Sequence, residues 1–286
     1  MEIKEVVCKS ILTRSSGYLR EVCSHSLNPY AGCGFGRSSC GEGCYVRFNQ
    51  WITAGRQWGS FVDVKVNAAE VYLQTFAREK KWAAKSRGSF SLFFSSSTDP
   101  WQPVEKKYRI TRQLLAAIKS HPPDQLILQT HSAALLDDLN LIQSLSRICD
   151  LRAHISIEGD RDRLPGLPPP PCPLEDRIDA LYKLVERGIK TVVCLSPLYP
   201  MQAPDDFFSR LSGIGIAAVV IDHFVQGDGT ADGSRTLRTG LPAAMACVAP
   251  ESCDLSYRDR IAGIAGKYLP VGISASGFAG KYTRSC

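Results

Sequence analysis

Apolar positions along this chain change period as it runs. From residue 88 onward, short continuous apolar runs at 89–95, 125–130, 151–157, 190–195 and 215–221 alternate with stretches at 104–119, 134–148, 174–187 and 204–212 whose apolar residues recur at helical spacing. Runs such as Leu126-Ile127-Leu128 and Ile216-Ala217-Ala218-Val219-Val220-Ile221 lack polar alternation, as strands buried on both faces do. Repeated strand–helix units of this kind predict an α/β fold built on a parallel sheet. Upstream, 60–67 reads as a short strand and 68–81 as a helix with apolar residues at 69, 72, 73, 76 and 77, Asn67 being its N-cap. The segment 19–26 supplies one more strand and brings the units to six. Six are too few to close an eight-stranded barrel, so an open one is expected. Residues 227–286 fall outside the repeat, with a Gly/Asp/Ser-rich loop at 227–234 and a helix near 256–267. The expected division is a barrel with its N-terminal strand over 1–226 and an extension packed on it over 227–286.

Composition narrows the class. The chain has 286 residues, 44% of them hydrophobic, enough for one well-buried catalytic domain. Lys and Arg total 34 against 28 Asp and Glu, and the resulting +6 permits a phosphate-bearing partner such as nucleic acid without requiring one. Seven basic residues of the tail, Arg235, Arg238, Arg258, Arg260, Lys267, Lys281 and Arg284, are scattered singly and read as solvated surface. No apolar run is long enough to span a bilayer and the N-terminus lacks the pattern of a secretory signal, so a cytoplasmic protein with no membrane partner is expected. There the eleven cysteines stay reduced.

Three of those cysteines change the picture. Cys33, Cys40 and Cys44 lie within twelve residues, in a stretch that also holds Gly32, Gly34, Gly36, Gly41 and Gly43. The glycines are expected to give positive-φ freedom that curls the thiolates onto one centre. Two centres fit: a [4Fe-4S] cluster held by three thiolates with one iron open, or a zinc ion completed by a distant ligand such as His25 or Cys23. Cys8, Cys149, Cys172, Cys194, Cys247, Cys253 and Cys286 lack such spacing and read as ordinary thiols.

Asn28-Pro29-Tyr30-Ala31-Gly32-Cys33 ahead of this loop and Cys44-Tyr45-Val46-Arg47 behind it resemble the cluster loop of radical S-adenosylmethionine (SAM) enzymes of the spore photoproduct lyase-like group. That group uses Cys-x3-Cys-x2-Cys, whereas this chain has Cys-x6-Cys-x3-Cys and carries Gly43 where an aromatic usually precedes the third cysteine. The resemblance implies a partial (βα)6 TIM barrel, a [4Fe-4S] cluster on Cys33, Cys40 and Cys44, SAM as cofactor, and an external one-electron reductant such as flavodoxin or ferredoxin.

In βα barrels the chemistry sits where strands end. After 89–95, Ser96-Ser97-Thr98-Asp99-Pro100-Trp101-Gln102-Pro103 resembles the group's Ser/Thr-Asp-Pro-Tyr-Gln-Pro segment, which implies that Thr98 meets the SAM amino group. The alternative is a turn at Thr98 and a helix N-cap at Asp99. After 125–130, His131 stands where relatives carry a lysine for the SAM carboxylate, and a hold there would titrate near about 6.5. Ser156 and Glu158 alternate with Ile155 and Ile157, so both are expected to point into the barrel. The proline-rich stretch 164–173 is expected to be a stiff extended loop. Ser196-Pro197-Leu198-Tyr199 resembles the segment whose backbone meets adenine in the group, making Ser196 and Leu198 candidates. Tyr45, Asp222 and His223 complete the list as catalytic candidates, Asp222 and His223 where the group faces substrate and Tyr45 as a residue that could quench the substrate radical. The chain is thus expected to cleave SAM reductively and to use the resulting radical on a substrate. A spore photoproduct-type DNA-lesion lyase and a non-enzymatic zinc module that binds nucleic acid remain the alternatives. The lyase chemistry returns hydrogen from a cysteine two residues before the strand-two hydroxyl, where this chain has Ser96. Should another thiol serve, Cys8, Cys23 and Cys194 are the first candidates.

Overall fold

The computed structural model describes residues 1–284, so Cys286 lies outside the described residues. Eleven strands form two sheets: β1 (Glu2–Val6), β2 (Leu12–Arg14), β3 (His25–Leu27), β4 (Tyr30–Gly32), β5 (Phe61–Lys65), β6 (Ser91–Phe94), β7 (Gln125–Thr130), β8 (Asp150–Ser156), β9 (Thr191–Leu195), β10 (Ala218–Ile221) and β11 (Val271–Ile273). The large sheet runs β11-β10-β9-β8-β7-β6-β3-β2, parallel throughout except for the antiparallel edge strand β2. Beyond β11 there is only a bridge from Val271 to Thr283, so among the described residues the sheet stays open, a partial barrel. No helix among them is long and apolar enough to cross a membrane.

Strand parity decides what faces inward. On β8, Leu151, Ala153 and Ile155 join the main core under the helices, while Arg152, His154 and Ser156 occupy the other face. Phe93, Ile127, Val192, Cys194 and Val220 fill the barrel interior together with Phe278 from the C-terminal segment. Both faces of the sheet are therefore buried, which is why β7, β9 and β10 read as continuous apolar runs.

Several elements differ from the sequence expectation for local reasons. Residues 19–26 are not one strand: Leu19–Val22 is a helical turn with Arg20 and Glu21 exposed, and only His25–Leu27 pairs with β6. The strand at 60–67 is β5, which lies in a separate three-stranded sheet with β1 and β4. The helix after it extends to Arg87, and Asn67 precedes it without capping it, because the Asn67 amide bonds both the N–H and the carbonyl of Cys8. The helix at 104–119 breaks at Arg109, which adopts φ 55°; there the Glu105 carboxylate accepts the N–H groups of Thr111 and Arg112 and the hydroxyl of Tyr30. The stretch 134–148 begins as a 3-10 turn over Ala133–Asp138 before Leu139–Ser146 becomes α-helical.

The largest difference is at the C-terminus. Helix Leu255–Ala265 leads into β11, which pairs in parallel with β10, so the region expected as an extension supplies a seventh parallel strand. Its described part shares the barrel's sheet and core, with Tyr257, Ile261, Ala265, Leu269 and Val271 in the main cluster.

Candidate active site

The loops after the parallel strands surround a cavity of about 490 Å³, and Cys33, Cys40 and Cys44 all line it. The loop that carries them is held by backbone contact. Of its five glycines only Gly32 has positive φ, at 80°. Gly36 and Gly41 are needed for close approach instead: a Cβ on Gly41 would lie 2.5 Å from Gly36 Cα, and one on Gly36 would lie 2.6 Å from the Gly59 nitrogen. This corrects the sequence reading, in which positive φ was the reason for all five. On its outer side the loop is pinned to the proline-rich stretch by Ser39 N–H, which donates to the Pro169 carbonyl at 3.0 Å.

The segment after β6 braces the same loop. Thr98 Oγ1 donates to the Gly32 carbonyl at 2.6 Å, and Gln102 accepts the Gly34 N–H at 2.6 Å while donating to Thr98 at 2.9 Å. Cys33 is thereby clamped from both neighbours. Asn28 accepts the Ser97 N–H at 2.9 Å and donates to Ser96 Oγ at 3.3 Å, and the Tyr45 hydroxyl donates to the Ser96 carbonyl at 2.8 Å. Asp99 is not a helix N-cap; it accepts from Trp101 N–H, the Thr130 hydroxyl and His131 N–H, tying the ends of β6 and β7 together.

Charge inside the cavity is paired. His131 Nε2 stands 3.3 Å from Glu158 and its Nδ1 3.7 Å from Asp99. Burial alone would lower the imidazole, but Cys40, Asp99 and Glu158 outweigh it and hold its pKa well above the usual value. Burial likewise opposes ionisation of Glu158, yet the fully buried Arg177 at 2.9 Å, together with His131, keeps its carboxyl at about 2. Cys33 and Cys44 are pushed up by burial and then by the charges of their neighbours, Cys40 among them. At the far wall Asp222 accepts hydroxyl groups from Ser274 at 2.6 Å, Ser196 at 3.3 Å and Tyr18 at 3.4 Å. Burial raises its pKa to about 6 against those hydrogen bonds.

The structure thus brings Cys33, Cys40, Cys44, Tyr45, Thr98, Asp99, His131, Glu158, Ser196, Asp222 and His223 to one cavity, with Ser156 and Leu198 outside its lining. Ser156 is fully buried beneath Glu158, its hydroxyl accepting from Gln129 at 3.3 Å. Leu198 packs into the outer core, and its N–H is taken by the Asp222 carbonyl at 2.9 Å. His223 reaches the cavity with both ring nitrogens engaged, Nδ1 by Val225 N–H and Nε2 by the Ser252 carbonyl. These bonds give it a capping role within the cavity lining. Of the tail's basic residues, Arg235 lines the cavity instead of lying on open surface.

Tyr18, Gln129 and Ser274 were missed because they come from three distant segments with no local motif. Gln102 stood in the quoted segment without an assigned part.

Cys33, Cys40 and Cys44 bring three thiols to this one cavity. Among the described residues no group of three or more His, Cys, Asp or Glu is arranged to hold a single metal ion. A cubane ties each thiolate to a different iron, whereas zinc gathers its ligands about one ion. The two distant ligands expected to complete a zinc site stand elsewhere. His25 is enclosed by Glu79 and Ser24, Cys23 is buried against Ser15, and neither lines the cavity.

No family model matches the chain. An uncharacterized protein of Methanocaldococcus jannaschii is 31% identical over 175 residues, 61% of this chain and 60% of its own length. A radical SAM Nalpha-GlyT isomerase of Pseudomonas phage M6 is 28% identical over 188 residues, 64% of this chain and 37% of its own. An uncharacterized protein of Mycobacterium tuberculosis is 24% identical over 230 residues, 76% and 63% of the two chains. The chain spans less than two thirds of the length of each of these relatives. Among solved structures, a spore photoproduct lyase mutant with dinucleoside spore photoproduct superposes with a TM-score of 0.64 at 13% identity, over 95% of this chain and 81% of that one. A second mutant of that lyase, with bound AdoMet and dinucleoside spore photoproduct, gives 0.59 at 13% identity over the same shares. In motifs, fold and relatives alike, this chain resembles the radical SAM enzymes of the spore photoproduct lyase-like group.

Proposed function

We propose that this chain is a radical SAM enzyme whose [4Fe-4S] cluster is held by Cys33, Cys40 and Cys44. One observation carries the reading: three cysteines from one glycine-packed loop line a single cavity at the carboxyl ends of a parallel sheet. When bound, cluster and SAM supply one-electron cleavage of the sulfonium and a 5'-deoxyadenosyl radical that abstracts hydrogen from a substrate. An external reductant of the flavodoxin or ferredoxin kind provides the electron, in keeping with a cytoplasmic setting.

The chain's own residues bind and orient. The Thr98 hydroxyl donates to Gly32 and accepts from Gln102, which leaves one lone pair for the SAM ammonium. His131, whose pKa is raised by Cys40, Asp99 and Glu158, stands where a cation would meet the SAM carboxylate. Asp222 holds or releases a proton close to neutral pH beside the space left for substrate.

A lesion lyase of the spore photoproduct type is the weaker reading, since Ser96 stands where the hydrogen-donating thiol would be. An O–H bond is stronger than an S–H bond and yields its hydrogen atom too slowly. Cys8, Cys23 and Cys194 do not line the cavity. Multiple-turnover repair of a spore photoproduct dinucleotide is therefore not expected. Anaerobic reconstitution tests the main reading: about four irons per chain, lost when the three cysteines become alanine, supports it. Stoichiometric zinc with no iron uptake would favour the zinc module and remove it.

A further inference from the structure

Two arginines among the described residues are buried, Arg152 and Arg177, and they are compensated differently. Arg177 is matched by Glu158 at 2.9 Å. Arg152, only 2% exposed, projects from β8 into the amino end of the barrel and forms no ion pair among the described residues. Its Nη1 donates to the Phe278 carbonyl at 3.3 Å, and its Nε has no partner there. Asp150, two residues earlier on the same face of β8, is exposed and turned to Lys190 at 3.7 Å.

Two further groups at this end lack partners. His154, the next inward residue of β8, is fully buried with its ring 6.0 Å from that of Phe278, and neither ring nitrogen is bonded among the described residues. Burial, and then the charges of Arg152 and Lys190, hold its pKa well below the ordinary value, so the imidazole is neutral. The Tyr282 hydroxyl is buried and unpartnered as well; burial raises its pKa, and the neighbouring Arg152 opposes that rise. Phe278, Gly280 and Tyr282 belong to one C-terminal segment, which lies so close to β8 that a Cβ on Gly280 would collide with Arg152 Nη1.

A guanidinium keeps its charge in proteins, and a charge taken out of water without a counter-charge costs far more than an unpaired dipole. Water satisfies neutral groups such as His154 and Tyr282, but it leaves Arg152 uncompensated. We propose that the amino end of the barrel binds a small monovalent anion, of the chloride or nitrate class, between β8 and the C-terminal segment. Arg152 Nε–H and one ring N–H of His154 donate to it, and the Tyr282 hydroxyl is the third donor. One arginine balances one negative charge, and the burial of all three groups leaves no solvent to share a second, so sulfate and phosphate are excluded. The site lies at the opposite end of the barrel from the cysteine loop and is independent of the function proposed above.

The test follows thermal unfolding of the full chain as chloride replaces gluconate at constant ionic strength, together with the chlorine NMR linewidth in the same buffers. The melting temperature is expected to rise with chloride and then level off, because an ion that binds only the folded state stabilises by mass action. The chlorine line should broaden, and nitrate should reverse the broadening where sulfate does not. Arg152→Met removes the charge and keeps apolar bulk, and it should abolish both responses. His154→Leu should weaken chloride binding roughly tenfold, the worth of about one hydrogen bond. A wild type whose melting temperature ignores chloride overturns the proposal. So does an Arg152→Met protein that keeps the wild-type response, which would place the ion on surface lysines. If Arg152→Met does not fold, the competition on the wild type decides: displacement of chloride by sulfate as readily as by nitrate contradicts a one-charge buried site.

Discussion

Alanine at Gly41 tests how the cysteine loop is held. Gly41 lies in the helical turn Ser39–Glu42 and is not among the positive-φ glycines, so the backbone itself accepts alanine and gains up to about 1 kcal/mol in helix propensity. The cost is steric. Its Cβ would lie closer still to the Gly36 carbonyl than the 2.5 Å to Gly36 Cα, where ordinary contact begins at 3.4 Å, so the two backbones must part by about 1 Å. Gly36 cannot retreat, because Gly59 packs against its other side. Overpacking usually costs about 1–3 kcal/mol, and backbone against backbone belongs at the upper end. The expected net loss is about 2 kcal/mol, or a loop that opens and separates Cys40 and Cys44 from Cys33. Urea denaturation reads the first outcome, and iron per chain after anaerobic reconstitution reads the second. Gly263→Ala is the control, because its Cβ meets nothing within 4 Å in the helix Leu255–Ala265, and it should stabilise by about 0.5–1 kcal/mol. A Gly41→Ala protein with wild-type stability and wild-type iron content would refute the close-packing argument.

Thr98→Val removes the bonds to Gly32 and Gln102 and should cost about 1–3 kcal/mol, with reduced iron uptake, whereas Thr98→Ser should behave as wild type in both measurements. His131→Ala should weaken SAM binding by about 1–3 kcal/mol in calorimetry; unchanged affinity would leave the imidazole only its contacts with Glu158 and Asp99. Asp222 has a folded-state pKa of about 6 against an ordinary 3.8, so the fold favours its protonated form. That stability is full below about pH 4 and is lost as pH rises to about 6, a difference of roughly 3 kcal/mol. Asp222→Asn should therefore gain on the wild type across that window in urea titrations, and a gain in the opposite direction would contradict the burial argument.

The parallel core was legible because β7, β9 and β10 are buried on both faces and leave uninterrupted apolar runs. β11 was not, because Val271, Gly272 and Ile273 are too few to set a period, and their place is decided by β10. The strand reading of 19–26 failed where Arg20 and Glu21 turn to solvent and the chain bends into a helical turn. The cysteine loop and the segment after β6 were visible as motifs, yet the parts their residues play were not. Asp99 reads as a cap but ties two strands, and Thr98 braces the Gly32 carbonyl. The Asp222 wall joins Tyr18, Ser196 and Ser274 from three parts of the chain, which no local pattern reveals.

The central claim is that the cavity formed around Cys33, Cys40 and Cys44 cleaves SAM by one-electron chemistry. Its most direct test is to reconstitute the full chain anaerobically, reduce it, add SAM and quantify 5'-deoxyadenosine by chromatography, alongside a protein with the three cysteines changed to alanine. The account predicts 5'-deoxyadenosine from the wild type and none above background from the variant. An iron-loaded, reduced wild type that forms no more 5'-deoxyadenosine than the variant would contradict it.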